Sequence, residues 1–300
     1  MNDKIRRLQE LYQSGGAAEI GRGVLSWIWT SRSSKWGRKK VTLALGGDTV
    51  WDQDWDILCV LDGCRSDLFE EVVGDSDTIT SIGSTSRTWV SRTFNSCPKP
   101  ERVGYVTGNP FWTEIDTKEL GYFHVESVAE TKHGIETVSP DVLAEHAINV
   151  WRRRESLGVD RLILHFMQPH APFRSEPLWF KQAIGEDSWS ANVWKRLQDG
   201  EFTEGEVWEA YKDNLIWVLE DGVRLLLSNC DGSIGMTADH GNAMGEWGFY
   251  GHPLGCPVST VREVPWKTVS GSDNETIQPD LKEAISSIDT EGQLEALGYK

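Results

Sequence analysis

Three runs of consecutive apolar residues stand out along the chain. Ile57-Leu58-Cys59-Val60-Leu61 and the segment Arg161-Leu162-Ile163-Leu164-His165-Phe166 are the clearest, and Ser233-Ile234-Gly235-Met236-Thr237 is a weaker third. Runs without alternation predict strands buried on both faces. Between them, residues 139–156 (Val142, Leu143, Ala147, Val150, Trp151) and 205–228 (Val207, Tyr211, Leu215, Val218, Leu219, Leu225, Leu226) carry apolar positions at helical spacing. Ser139-Pro140 supplies a cap and a first turn for the former. Shorter helices are expected at 4–13, on Ile5, Leu8, Leu11 and Tyr12, and at the tail around Gln293, Leu294 and Leu297. Strands alternating with long helices predict an α/β fold, with a mostly parallel central sheet and helices on both faces. In such sheets ligands bind beyond the carboxyl ends of the strands, so the residues following each run carry the interest.

Composition narrows the class. Of 300 residues 39% are apolar and 25% charged, enough for a packed core and incompatible with collagen, coiled coil or disorder. No stretch of membrane-spanning length is apolar throughout. The formal charge of −16 excludes nucleic-acid binding through a general electrostatic footprint. Residues 1–40 run against this balance: nine Lys and Arg face only Asp3, Glu10 and Glu19, interleaved with Trp27 and Trp29. That composition suits a peripheral segment on an anionic membrane surface, or an arm packed on its own acidic body. The chain is therefore divided into a basic, Trp-containing lead-in (1–45) and an acidic main domain (46–300). The acidic body suits a high-salt cytoplasm and equally suits solubility at ordinary salt. Cys59, Cys64, Cys97, Cys230 and Cys256 are odd in number and form no CxxC pair, so they predict neither a zinc ribbon nor a disulfide scaffold. The N-terminus lacks a signal peptide's apolar region, which makes the cytoplasm, or the inner membrane surface, the expected location.

Chemistry-bearing residues do follow the runs. Asp62 closes the first, as a metal ligand, a base or a helix cap. His165 lies within the second, which leads into Gln168-Pro169-His170-Ala171-Pro172, a loop stiffened by prolines. After the third come Asp239-His240-Gly241 and, twelve positions beyond His240, His252. Asp62, Asp239 and His240 together offer oxygen and nitrogen donors suited to Zn²⁺ or Mn²⁺. Ser84, Thr85, Ser86 and Thr88, beside Arg87, place hydroxyls next to a guanidinium in a Ser/Thr-rich loop. A hydroxyl on a divalent cation becomes a nucleophile at neutral pH, and the guanidinium would hold anionic oxygens.

In this order the segments DILCVLDGCRSD, GSTSRTW, HFMQPHAPF and GMTADHGNAMGEWGFYGHP resemble the sulfatase-like branch of the alkaline phosphatase superfamily. YKDNLIWVLEDGVRLLL is similar to the helix that precedes the family's Asp-His strand, and LEALGY to many members' C-termini. The acidity and DWDILCVLD are most similar to members from salt-loving archaea. The resemblance covers roughly residues 50–300. It implies an alkaline phosphatase-like fold with a reduced C-terminal subdomain. It also implies metal ligation by Asp62, Asp239 and His240, nucleophilic attack by Ser86 with Thr85 as second choice, and ester contacts from His170 and His252. Arg87 and His165 are the expected substrate-binding residues.

Departures from the family pattern matter as much. No Cys-x-Pro-x-Arg or Ser-x-Pro-x-Arg motif is present to generate formylglycine, which argues against true sulfatase activity. Gln168 and Asn242 stand where the family often has carboxylates, so one divalent ion is expected, Zn²⁺ or Mn²⁺ in preference to Ca²⁺ or Mg²⁺. The leading expectation is a metal-dependent hydrolase of sulfate or phosphate esters, acting on an anionic small molecule, a glycan or a lipid head group. The alternatives are a phospho-head-group transferase using the same site and a non-catalytic protein that binds an anionic glycan.

Overall fold

β1 (Ile57–Asp62) is buried at all six positions because it runs through the middle of a seven-stranded sheet. The other strands are β2 (Asp77–Thr80), β3 (Val103–Thr107), β4 (Tyr122–Val125), β5 (Arg161–Pro169), β6 (Gly232–Thr237) and β7 (Glu263–Gly271). Their spatial order is β2-β7-β6-β1-β5-β3-β4. β7 alone runs antiparallel to its neighbours β2 and β6. The computed structural model describes residues 46–181 and 193–279. The expected helix at 4–13, the basic segment 22–40 and the expected tail helix lie outside these.

The expected α/β architecture is present. One face of the sheet, carrying Ile57, Cys59 and Leu61 of β1, packs against α1 (Ser66–Val73), α3 (Pro140–Arg152), α4 (Glu204–Trp217) and α5 (Arg224–Asn229). The opposite face, carrying Leu58 and Val60, packs against Trp89, Val90 and Phe94 of α2 (Ser86–Asn95). Alternate β1 side chains thus enter two separate cores, which is why the run contains no polar position. Cys59, Cys64, Cys230 and Cys256 are buried free thiols, behaving as small apolar residues. No helix among the described residues is long and apolar enough to cross a membrane.

Three local expectations change. The Ser/Thr-rich segment is a loop only as far as Thr85; from Ser86 it is helix, started by a capping box between Thr85 and Thr88. β5 continues past Phe166 to Pro169, and its pairing with β1 shifts between Leu61 and Asp62. The single long helix expected at 205–228 is interrupted by a wider turn at Val218–Val223. Gly222 within this turn lies directly over β5. A Cβ there would sit 2.8 Å from the Phe166 ring and 3.2 Å from Pro140 Cβ. The missing side chain lets the helix approach the sheet. Gly222→Ala is expected to destabilise the fold by about 1–3 kcal/mol in chemical denaturation, with a smaller penalty in a Phe166→Leu background. A neutral Gly222→Ala would mean that the helix does not rest on the strand this closely.

Candidate functional site

The site lies where β1, β5 and β6 end together. Asp62 is the last residue of β1, and Asp239 and His240 follow β6; all three are fully buried. Each carboxylate is half satisfied. Asp239 Oδ1 accepts the backbone N–H groups of Gly63 and His240, both at 2.9 Å, while Oδ2 has no hydrogen-bond partner. Asp62 Oδ2 accepts from Asn109 Nδ2 at 2.7 Å and from the Ser86 hydroxyl at 3.4 Å, while Oδ1 has no partner.

Imidazoles face the two bare oxygens. His240 Nδ1 lies 3.0 Å from its neighbour's carbonyl, Gly241 O. Its Nε2 lies 3.4 Å from Asp239 Oδ2, 3.9 Å from Asp62 Oδ1 and 3.2 Å from Ser86 Oγ. His165 is arranged similarly. Its Nδ1 meets the Tyr105 hydroxyl at 3.1 Å, and its Nε2, without a hydrogen-bond partner, lies 3.7 Å from Asp239 Oδ2. Asp62, His165 and Asp239 each offer a ligand atom, all within 4.8 Å of one another.

Bare carboxylate oxygens in a dry interior are costly unless a cation meets them. Burial and the charge of Asp239 push the Asp62 carboxyl well above its usual range. Burial acts on Asp239 in the same direction, but His240, His165 and the Gly63 N–H outweigh it and hold Asp239 low. The orphaned oxygens, the inward Nε2 atoms and the mixed O/N donor set fit one divalent ion, with the other face of each ligand anchored by a second partner.

Structure distinguishes the neighbouring hydroxyls. Ser86 occupies the first turn of α2, buried, with its oxygen among the metal-ligand atoms. The Thr85 hydroxyl accepts the Thr88 N–H at 3.2 Å as the helix cap. Ser84 braces the loop that follows His252, donating to Pro253 O and accepting from Gly255 N. Apart from the Thr88 N–H taken by the cap, the first turn of α2 places N–H groups without an intrahelical partner, and the positive end of the helix dipole, at Ser86.

Two expected substrate contacts sit elsewhere. The Arg87 guanidinium pairs with Glu114 at 2.7 Å, lies over the Phe111 ring and is 56% exposed. The structure does not bring it into the cluster, because consecutive helical positions point about 100° apart and Ser86 takes the inward one. His165 is fully buried, with its Nε2 among the candidate ligand atoms.

His170 and His252 flank the cluster, with ring centroids 5.3 Å apart and His252 4.2 Å from His240. Asn242 sets their surroundings. It donates to Gly63 O and accepts from His252 Nδ1 at 2.7 Å, which leaves the His252 Nε2 lone pair available. Gly63 has φ +68°, and a Cβ there would meet Asn242 Nδ2 at 2.7 Å, so glycine is required for this contact. Burial lowers the His170 pKa to about 4 and that of His252 well below its usual value, the latter with help from His240 and His170. Both rings are therefore neutral near pH 7. Asn109 and Tyr105 had no signal in the sequence beyond being polar residues in or beside a strand, and their burial identifies them; Asn242 was noted only as a replacement for a carboxylate, and its contacts give it a role.

No family model and no curated protein matches this chain. Among solved structures it is similar to the C-terminal periplasmic domain of a phosphoethanolamine transferase from Campylobacter jejuni, at 13% identity over 71% of this chain and 78% of that one, with a TM-score of 0.43. It is also similar to such a domain from Escherichia coli in complex with Zn (10% identity, 76% of each chain, TM-score 0.46). A third is a lipoteichoic acid synthase from Listeria monocytogenes (11% identity, 88% of this chain and 78% of that one, TM-score 0.41). Likeness of this degree assigns neither family nor activity.

Two outcomes are expected in solution. Zn²⁺ at 100 times its Kd for this site contributes about 2.7 kcal/mol of stability in thermal or chemical denaturation, and Asp239→Asn loses that contribution. His165→Gln weakens Zn²⁺ binding by about 10–100-fold in competition with a chromogenic chelator. Unchanged metal affinity in His165→Gln would return that residue to the substrate.

Proposed function

We propose that this chain is a metal-dependent enzyme of phosphate esters that carries a phosphorus-containing group on Ser86 and passes it to a hydroxyl acceptor, as a phospho-head-group transferase does. Hydrolysis is the same route with water as acceptor. The observation that carries this reading is the position of Ser86 Oγ, 3.2 Å from His240 Nε2 and 3.4 Å from Asp62 Oδ2, at the start of a helix and beside two bare carboxylate oxygens.

Asp62, Asp239, His240 and His165 would hold the ion. When bound, it supplies a lowered pKa at a hydroxyl and neutralises charge on the transferring oxygens. Ser86 attacks phosphorus as its hydroxyl proton passes to Asp62 Oδ2, 3.4 Å away, and the bond to the leaving oxygen breaks in line. The acceptor hydroxyl then attacks the same phosphorus, giving its proton to the histidine that served the leaving oxygen. The Ser86 Oγ–phosphorus bond breaks as Ser86 recovers its proton from Asp62. The first-turn N–H groups of α2 stabilise the developing charge. His170 and His252 start neutral; an incoming phosphate anion raises their proton affinity, so that one of them takes up a proton and can deliver it to the leaving oxygen. A plain serine, without the formylglycine motif, favours phosphate over sulfate esters.

The test is to incubate the Zn²⁺- or Mn²⁺-loaded protein with aryl phosphate monoesters, phosphodiesters and aryl sulfates, then to map modified residues by mass spectrometry. The expected result is a phosphorus-containing adduct on Ser86, with phosphodiester turnover that alcohols accelerate over water alone. Ser86→Ala should lower turnover at least about 10³-fold while keeping its metal. Full activity in Ser86→Ala, or no adduct and no turnover of any ester, would contradict the proposal.

A further inference from the structure

Strand β4 carries a second group of donors that the chemistry above does not use. Tyr122, His124 and Glu126 are spaced two apart, which puts them on one face of the edge strand and its continuation. His146 comes to the same place from the middle of α3. His124, Glu126 and His146 each offer a ligand atom, all within 4.8 Å of one another. His124 Nε2 lies 3.2 Å from Glu126 Oε2, close to the separation of two ligands held at about 2.0–2.1 Å by one tetrahedral ion. The His124 and His146 rings are stacked, with centroids 3.5 Å apart and planes within 10°. β4 is separated from β5 by β3, so this group lies about 10 Å, two strand spacings, from the nearest strand of the Ser86 site.

We infer that His124, Glu126 and His146 form a second metal site, for a divalent first-row transition ion such as Zn²⁺, that clips the edge strand β4 to helix α3. Two imidazoles and one carboxylate are the donor set such ions select over Mg²⁺ or Ca²⁺. The fourth position faces outward, since the His124 and Glu126 side chains keep 12% and 25% of their exposure while His146 is buried. Outer partners are already in place. Glu126 Oε1 accepts the Ser127 N–H at 3.0 Å, and the Tyr122 hydroxyl meets His146 Nε2 at 2.7 Å. An ion lies in the plane of each imidazole it binds, so the parallel stack opens on loading. This site does not depend on the function proposed for Ser86.

The experiment uses the full chain, stripped with a chelator and dialysed against Zn²⁺, with metal counted by elemental analysis. Asp62→Asn combined with Asp239→Asn removes the central ligands and is expected to retain one equivalent. Adding His124→Ala or Glu126→Gln in that background should weaken the remaining binding at least about 100-fold. In the unaltered chain, Zn²⁺ titration followed by histidine side-chain NMR should move the His124 and His146 ring signals together as the stack opens. The inference is overturned if the Asp62→Asn, Asp239→Asn protein binds no Zn²⁺, or if its equivalent is indifferent to His124→Ala and Glu126→Gln. It is overturned equally if saturating Zn²⁺ leaves the His124 and His146 signals of the unaltered chain unmoved.

Discussion

Two aspartates buried side by side set the terms for this molecule. Asp62 and Asp239 each spend one oxygen on fixed N–H or amide donors and leave the other, fully buried, without a protein partner. Like charges so placed cannot both ionise comfortably, which is why burial and mutual repulsion raise Asp62 while two imidazoles keep Asp239 low. A dipositive ion removes the conflict and draws on both bare oxygens at once. Ser86, His240 and His165 then acquire roles from where they stand around that ion.

The sheet makes the arrangement possible. β1 and β6 are adjacent and parallel, so their carboxyl ends deliver Asp62 and Asp239 to one point from residues 177 apart in sequence. β5, on the other side of β1, contributes His165 from within the strand and His170 from the loop beyond it. The shift in β1–β5 pairing after Leu61 sets Asp62 opposite Pro169, and the His170 N–H bonds Asp62 O at 3.1 Å. Helix α2 packs its Trp89 and Val90 on the opposite core, which fixes its first turn and the Ser86 hydroxyl beside Asp62. Hydrophobic packing on both faces thus positions polar groups that repel one another at the sheet's end.

Much of this was legible because burial on two faces leaves an uninterrupted apolar run. Those runs located β1, β5 and β6, and the polar residues at their ends include Asp62, His170, Asp239 and His240. β3, β4 and β7 were not legible: Val103–Thr107 and Tyr122–Val125 are short and mixed, and β7 is exposed at alternate positions over much of its length. Helix α2 was hidden by its polar composition, although Thr85 and Thr88 at capping spacing, followed by Trp89, Val90 and Phe94, carried a signal. Side-chain direction accounts for Arg87 and His165. Adjacency to Ser86 suggested a shared target for Arg87, yet Arg87 sits on another side of the helix, beside Glu114. His165 points its Nε2 at a carboxylate because Tyr105, on a neighbouring strand, holds its Nδ1. The neutral state of His170 and His252 is a consequence of burial, which no spacing encodes.

The most direct measurement is anomalous X-ray diffraction at the zinc edge from crystals of the full chain grown with Zn²⁺. A peak is expected in the pocket between Asp62 Oδ1, Asp239 Oδ2 and the Nε2 atoms of His240 and His165, about 2.0–2.2 Å from its ligands. A zinc-bound crystal with that position filled only by ordered water, and the two carboxylates turned apart, would contradict it.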